Sequence, residues 1–188
     1  MTEHGPRQPS DLEDELLVVR CQLGERSAFD ALIRRWHAPL RQYIRRMTGD
    51  DAATDDAVQE VWLRVLRGIA RLREGTKLRA WLFGIARNVL MDRLRHKYAW
   101  PMAADVDLDE IAADDAPKHL EEELAVMLMA LTRLPLAENE VLTLFYLQEL
   151  SLGEVAQVLG IPVGTVKSRL FRARQLLRQE VARKGMTA

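Results

Sequence analysis

The sequence predicts an all-α fold: two small helical domains joined by a flexible acidic linker, the second containing a helix-turn-helix. Three observations carry that prediction. Apolar residues recur every three or four positions through most of the chain, and no segment alternates like a strand. Residues 98–117, "YAWPMAADVDLDEIAADDAP", lose the periodicity and fill with Asp, Ala and two prolines. Residues 151–174, "SLGEVAQVLGIPVGTVKSRLFRAR", read as two short helices meeting at a glycine and a proline. The 188 residues suffice for one average domain or two small ones, and 48% are apolar, enough for a buried core. Few aromatics and an abundance of Leu, Ala and Arg favour helix.

Taken in order, residues 1–10 are polar, with two prolines and a glycine, and read as a disordered tail. A first helix covers about Asp11 to Leu23, ended by Gly24. A second runs from about Ser27 to Arg46, its stripe being Phe29, Leu32, Ile33, Trp36, Leu40, Tyr43, Ile44 and Met47, with Pro39 expected to kink it. "TGDDAATDD" is polar and breaks the pattern. A third helix, Asp55 to about Ile69, buries Val58, Val61, Trp62, Val65 and Leu66. "ARLREGTK" reads as a loop. A fourth helix, about Leu78 to Lys97, carries Leu78, Trp81, Leu82, Ile85, Ala86, Val89 and Leu90 on one face. Trp62 and Trp81 sit within apolar stripes and read as core. These residues make a first domain over 11–97. In the linker, a short helical turn fits Leu108 to Ile111. The second domain, 118–183, has helices over about Lys118 to Thr132, Ala137 to Leu147, Leu152 to Leu159 and Val163 to Ala182, before a tail at 184–188.

The formal net charge of −1 hides strong segregation. Arg64 to Lys97 holds ten Lys/Arg against two Asp/Glu, Tyr98 to Glu123 one against nine, and Gly160 to Ala188 seven against one. Two basic blocks flanking an acidic one suggest two separate contacts with a polyanion, joined by a segment that avoids it or imitates it.

Several function classes drop out. One cysteine, Cys21, excludes an internal disulfide and a multi-cysteine zinc site, and the four histidines lack ligand spacing, so no metal or cofactor is expected. No apolar run approaches the ~18 residues of a membrane span, and the N-terminus does not read as a signal peptide, so a soluble cytoplasmic protein is expected. The acidic clusters Glu13 to Glu15 and Glu121 to Glu123 come without a paired His or Cys or a phosphate-cradling glycine loop. No catalytic residue is assigned, and an enzyme is not expected.

The helix-turn-helix candidate spans residues 152–171. Ala156 is the small residue where two helices cross closely. Gly160 suits a positive φ as the chain leaves the first helix, and Pro162 can start the second, where a missing N–H costs nothing. Val155, Leu159, Val166 and Leu170 can join the helices. Lys167, Ser168, Phe171, Arg172 and Gln175 then face outward on one side. Early residues of such a second helix sit over base edges in the major groove. Arg or Lys pairs with guanine, Ser is tolerant, and Phe meets a thymine methyl. Thr165, Arg169 and Arg174 are better placed for phosphates. The competing reading is a solvated basic helix, but it leaves an outward Phe171 among arginines unexplained.

In the first domain, "TDDAVQEVWLRVL" places Asp56, Gln59 and Glu60 on one polar face, opposite Val58, Val61, Trp62 and Val65. By itself this reads as a solvated acidic face. The fourth helix turns Arg79, Arg87, Arg93, Arg95 and Lys97 outward, with Asn88 among them.

In this order, the parts resemble an extracytoplasmic-function (group IV) sigma factor of the bacterial sigma-70 family. "DDAVQEVWLRV" is similar to region 2.2, "LRAWLFGIARNVLMDRLR" to regions 2.3 and 2.4, and "LPLAENEVLTLFYLQELSLGEVAQVLGIPVGTVKSRLFRARQLL" to region 4. The resemblance implies an RNA polymerase sigma factor that binds core polymerase and helps open promoter DNA. Asp56, Gln59 and Glu60 would bind the β′ clamp helices, and the β flap would be a second polymerase contact. The loop around Arg73 and Lys77, with Arg79 and Asn88, would engage the −10 element and capture a flipped base. Thr165, Lys167, Ser168, Arg169, Phe171 and Arg172 would bind the −35 element. The linker would thread towards the RNA exit path; its acidic residues read either as a mimic of nucleic acid in a positively charged channel or as an ordinary solvated tether. An anti-sigma factor is a further candidate partner. One departure is visible: members often carry F-R-G in the capture loop, where this chain has Leu72-Arg73-Glu74-Gly75. The alternative is an autonomous helix-turn-helix regulator, which would share residues 151–174 and need no polymerase-binding face.

Overall fold

A computed structural model describes residues 9–98 and 120–185. Most of the expected tails, most of the acidic linker and its helical turn at Leu108 to Ile111 lie outside the described residues; the tail residues that are described, 9–10 and 184–185, are helical instead, belonging to α1 and α8. All regular structure among the described residues is helical. The first half comprises α1 (Pro9–Gln22), α2 (Arg26–Thr48), α3 (Asp51–Gly68) and α4 (Leu78–Tyr98), with 3₁₀ turns at Ile69–Arg71 and Gly75–Lys77 between the last two. The second half comprises α5 (Leu120–Thr132), α6 (Leu136–Leu142), a π-helical turn (Thr143–Leu147), α7 (Leu152–Leu159) and α8 (Val163–Gly185).

The first core is organised by α2. Its buried residues Ala28, Leu32, Trp36, Leu40, Tyr43, Ile44 and Met47 form one stripe at helical spacing, closed by Val58, Val61 and Val65 of α3 and Leu82, Phe83 and Val89 of α4. Phe83 meets Tyr43 edge-on at 5.5 Å and Trp36 at 6.4 Å between ring centroids. Each fully buried large side chain here contributes about 1.5–3 kcal/mol. α2 runs unbroken past Pro39 to Thr48, although the proline removes one main-chain donor. α1 is tied down by Val18, which is buried, and by the buried Asp14, which accepts from Trp36 Nε1 at 3.3 Å and pairs with Arg35 at 2.9 Å.

Four expectations need correction. The stretch read as a break before Asp55 is helical from Asp51 on. Asp50 caps it, accepting from Ala52 and Ala53 N–H at 2.8 and 3.4 Å, and Asp51 and Asp55 reach back to Arg41 on α2 at 3.2 and 2.9 Å. Leu66, expected in the core, is 56% exposed. The helix expected to run to Leu147 changes to a π turn after Leu142, and the chain then reverses through Glu149 at φ 52°, a left-handed conformation in a non-glycine residue. Such a residue costs about 1 kcal/mol or more unless its surroundings hold it. Trp62 and Trp81 are half-buried and pack against the core rather than within it.

The two helical domains pack against one another. α4 packs along α7, and the buried apolar residues of both halves form one continuous cluster.

Candidate nucleic-acid interface

The helix-turn-helix is built as its residues require. Ser151 and Glu154 form a reciprocal capping box at the start of α7. Gly160 ends the helix at φ 67°, and its N–H returns to the Ala156 carbonyl. The Pro162 carbonyl accepts from Thr165 and Val166 N–H at 2.9 and 3.1 Å, so Pro162 sits one place before the first helical residue. Val155, Ala156, Leu159, Val166 and Leu170 are buried between α7 and α8.

On the outer face of α8, Lys167, Ser168, Phe171, Arg172 and Gln175 are exposed, Phe171 at 60%. An aromatic ring that open needs a partner to cover it. Arg172 Nε lies 3.2 Å from the buried Glu138 carboxylate, which holds the base of the side chain while two-thirds of it stays in solvent. Ser168 Oγ donates to the Thr165 carbonyl at 3.0 Å. Thr165 and Arg169 are half-buried, and the Arg169 charge bears on Glu140 of α6. Arg174 donates to the Leu170 carbonyl and to the Tyr146 hydroxyl, which steadies it at the edge of the face.

The first half holds the other expected residues in two places. The 69–77 segment is anchored on α1. Gln22 Nε2 donates to the Ile69 and Leu72 carbonyls at 3.1 and 2.8 Å, and a Cβ on Gly75 would lie 2.9 Å from Glu15 Cα. Arg73 is exposed, and Lys77 is exposed and paired with Glu74 at 2.8 Å. Asn88 is exposed on α4. Arg79 is half-buried and turned away from solvent, its Nη2 donating to the Gln148 and Glu149 carbonyls at 2.7 and 3.0 Å. This cation sits on the carbonyls that close the α6 and π-turn segment and helps hold Glu149 in its left-handed conformation.

The acidic trio of α3 divides. Asp56 is exposed, with no hydrogen bond or ion pair among the described residues. Gln59 lines a 570 Å³ groove between α2 and α3, walled by Phe29, Ile33, Trp62, Leu63 and Leu66. Glu60 instead faces α4, pairing with Arg64 and with Arg93 at 3.3 Å, while Asp92 takes Arg64 at 3.0 Å. Burial would raise the Asp92 carboxyl, but hydrogen bonds from Arg64 and Arg95 outweigh it and hold it below its ordinary value.

The sequence left one cluster unseen. Glu140 of α6 is buried, accepts from the Tyr43 hydroxyl at 2.8 Å and from Arg87 Nε at 3.1 Å, and both donors belong to the other half. Burial raises its carboxyl above the ordinary 4.5, partly offset by Arg87, Tyr43 and Arg169. Burial, with the nearby Glu140 charge, also pushes the Tyr43 phenol well above 10.0. The available signal was α4 itself: Ala80 and Phe83 are also buried, an apolar arc wider than one packing face needs.

Residues 32–99 match the family model for sigma-70 region 2, and residues 124–177 match that for sigma-70 region 4. Over 173 residues the chain is 35% identical to the ECF RNA polymerase sigma factor SigM of Mycobacterium tuberculosis, covering 92% of this chain and 85% of that one. It is 30% identical to the ECF RNA polymerase sigma factor SigW of Bacillus subtilis, covering 87% of this chain and 94% of that one. Among solved structures, CnrH in complex with the cytosolic domain of CnrY matches with a TM-score of 0.68 at 27% identity, over 89% of this chain and 96% of that one. The sigma factor RpoE in complex with the anti-sigma factor NepR from Bartonella quintana shares the fold, with a TM-score of 0.66 at 22% identity, over 82% of this chain and 96% of that one.

Proposed function

We propose a division of labour along this chain from the premise that it belongs to the extracytoplasmic-function sigma factors of RNA polymerase. It is a sigma factor: it binds core polymerase, recognises −35 and −10 promoter elements and helps open promoter DNA. The observation that carries this is the order of its two matched regions, each coinciding with one helical half and the second bearing an exposed Lys167-to-Arg172 face. Lys167, Ser168, Phe171 and Arg172 read −35 base edges in the major groove, and Thr165, Arg169 and Arg174 hold phosphates. Arg73, Lys77, Arg79 and Asn88 engage the −10 strand. Extruding a base costs a few kcal/mol, and a segment already pinned to α1 by Gln22 and Gly75 has lost most of its ordering cost during folding. Asp56 and the groove beside Gln59 bind polymerase, while Glu60 supports that face from within the Arg64–Arg93 network. The chain acts by binding, in the cytoplasm, and the polymerase performs the chemistry.

Run-off transcription on genomic fragments, with core polymerase alone and with this protein, tests the assignment. New discrete start sites sharing two upstream elements are expected. Asp56→Lys should weaken binding to core by about 2 kcal/mol or more while leaving −35 duplex binding intact. Unchanged polymerase binding would remove Asp56 from the interface. DNA binding without any new start site would favour an autonomous regulator.

A further inference from the structure

The outer face of α8 is fastened to α6 by a buried carboxylate. α6 buries Glu138, Asn139 and Glu140 in succession, at 4%, 6% and 3% exposure. Polar side chains that deep need partners. Asn139 accepts from the Thr143 hydroxyl at 3.1 Å. Glu140 accepts from Tyr43 and Arg87 across the seam between the two halves. Glu138 has one side-chain partner among the described residues, Arg172. Its position in the first turn of α6 does not account for its burial, since a carboxylate complements the helix dipole from the surface as well.

Arg172 belongs to the face assigned to −35 base edges, and most of its side chain lies in solvent. The contact is made at Nε, 3.2 Å from Glu138 Oε1. An arginine can offer guanine either its two terminal nitrogens or Nε with one of them. Glu138 occupies the second edge and leaves the first free. An unanchored arginine gives up rotamer freedom when it meets a base, whereas one already held by a buried anion lost that freedom on folding. Charge matters as well. A phosphate is bound chiefly through charge, a guanine edge through a matched pair of donors. A carboxylate behind the guanidinium offsets its charge and leaves its forward donors intact. Nor can Arg172 swing out to a phosphate without stranding Glu138 in the interior.

Resting on the sigma-factor reading, we propose that Glu138 is a specificity-determining residue that acts through Arg172: it aims the guanidinium at a base edge of the −35 element and withholds its charge from the phosphate backbone. Glu138 is itself buried and touches no DNA, so it is a positioning residue. The two parts of DNA binding then respond in opposite directions. Removing the Glu138 charge should weaken base choice at one pair and strengthen sequence-independent attraction. A carboxylate that only supported the fold would weaken both when removed.

The test compares wild type with Glu138→Gln, Arg172→Lys and the double variant, each as the full chain. Glu138→Gln keeps the side chain's shape and removes a buried charge, so helical circular dichroism and melting temperature should not fall. Base choice is read by holoenzyme binding to promoter fragments that carry each single-base change across the −35 element mapped by run-off transcription. Backbone attraction is read by titrating unrelated duplex with the free chain over a range of salt. Glu138→Gln should lower discrimination at one base pair by about fivefold, the low end of what one bidentate pair supplies. It should also gain one effective cation, losing about threefold more affinity than wild type between about 50 and 200 mM salt. Arg172→Lys keeps the charge beside Glu138 but not the fork, so it should lose discrimination at the same base pair with wild-type salt dependence. In that background Glu138→Gln should take nothing further from base choice. Unchanged base choice in Glu138→Gln overturns the positioning role, and so does a loss spread equally over all positions with a lower melting temperature. A further loss in the Lys background overturns action through Arg172. Unchanged salt dependence overturns the masking of its charge. If wild type with core polymerase yields no start sites, the functional reading falls and the base-reading role with it, while the salt dependence of the free chain still reports whether Glu138 masks Arg172.

Discussion

Phe171 and Arg172 are the residues on which promoter choice should turn. Both are more than half exposed; Phe171→Ala leaves the fold intact, while Arg172→Ala is made in a Glu138→Gln background, because Arg172 is the ion-pair partner of the buried Glu138. Arg172→Ala should cost about 1–3 kcal/mol of promoter binding, concentrated at one or two −35 positions where base preference relaxes. Transcription from templates varied singly across that element measures it, and a uniform loss at every position would instead mark a phosphate contact. The seam makes a prediction of opposite kind, about protons. Tyr43 holds its proton well above 10.0 in the folded chain, chiefly because it is buried. Above pH 10 the unfolded chain has shed a proton that the folded chain keeps, so stability falls as pH rises through that window. Glu140 acts in the same direction from pH 4.5 upward until its own raised value is passed. Thermal melting should decline more steeply above pH 10 in wild type than in Tyr43→Phe. The variant should also lose the last phenolate step in ultraviolet difference absorbance. A variant that tracks wild type throughout would show that Tyr43 is not held neutral by the seam. The outward α8 residues were legible in the sequence because charge and periodicity coincide there. Glu140 was not, because three polar residues in a row on a short helix read as solvent-facing, and only a surface from elsewhere in the chain reverses that.

At the scale of elements, two glycines are needed for different reasons. A Cβ at Gly160 would meet nothing within 4 Å, yet the residue sits at φ 67°. Gly160→Ala should therefore cost about 1–2 kcal/mol from backbone conformation alone, and Gly160→Asn less. Gly75 has the reverse problem, since its Cβ would lie 2.9 Å from the Glu15 main chain. Gly75→Ala should cost about 1–3 kcal/mol by forcing the 69–77 segment off α1, and should slow promoter opening, read as thymine reactivity in the melted region. Denaturant melts separate the two: restoring αL tolerance rescues position 160, whereas no side chain rescues position 75. If Gly75→Ala opens promoters at the wild-type rate, the anchorage to α1 is not used in melting. The α-helices were readable throughout, because long apolar stripes such as that of α2 survive any context. The boundaries that failed were those set by single polar contacts. Asp50 looks like part of a turn until it is seen accepting from Ala52 and Ala53, and the π turn at Thr143–Leu147 leaves no mark on periodicity.

At the scale of the whole molecule, segregated charge suggested two separate contacts with nucleic acid, but carried no sign that α4 of the first half packs along α7 of the second. The last prediction follows from that arrangement. With the residues proposed for the −35 element exposed on α8 and Arg79, proposed for the −10 element, turned onto the Gln148 and Glu149 carbonyls, the free protein should bind −35 duplex weakly, with strong dependence on salt, and be indifferent to the −10 sequence. On the proposed function, core polymerase would hold the two reading surfaces at a fixed separation, which makes the second contact effectively intramolecular. Affinity should then depend on both elements and on the number of base pairs between them. The measurement is a matched set of promoter fragments with the spacer shortened or lengthened by a few base pairs, titrated with free protein and with holoenzyme. Spacer length should leave the first series flat and change the second by at least about tenfold, one lost contact's worth. A free chain that already discriminates spacer length would have to reach both elements unaided, which a compact chain of ~16 Å radius of gyration cannot do across the ~85 Å of duplex in about 25 base pairs.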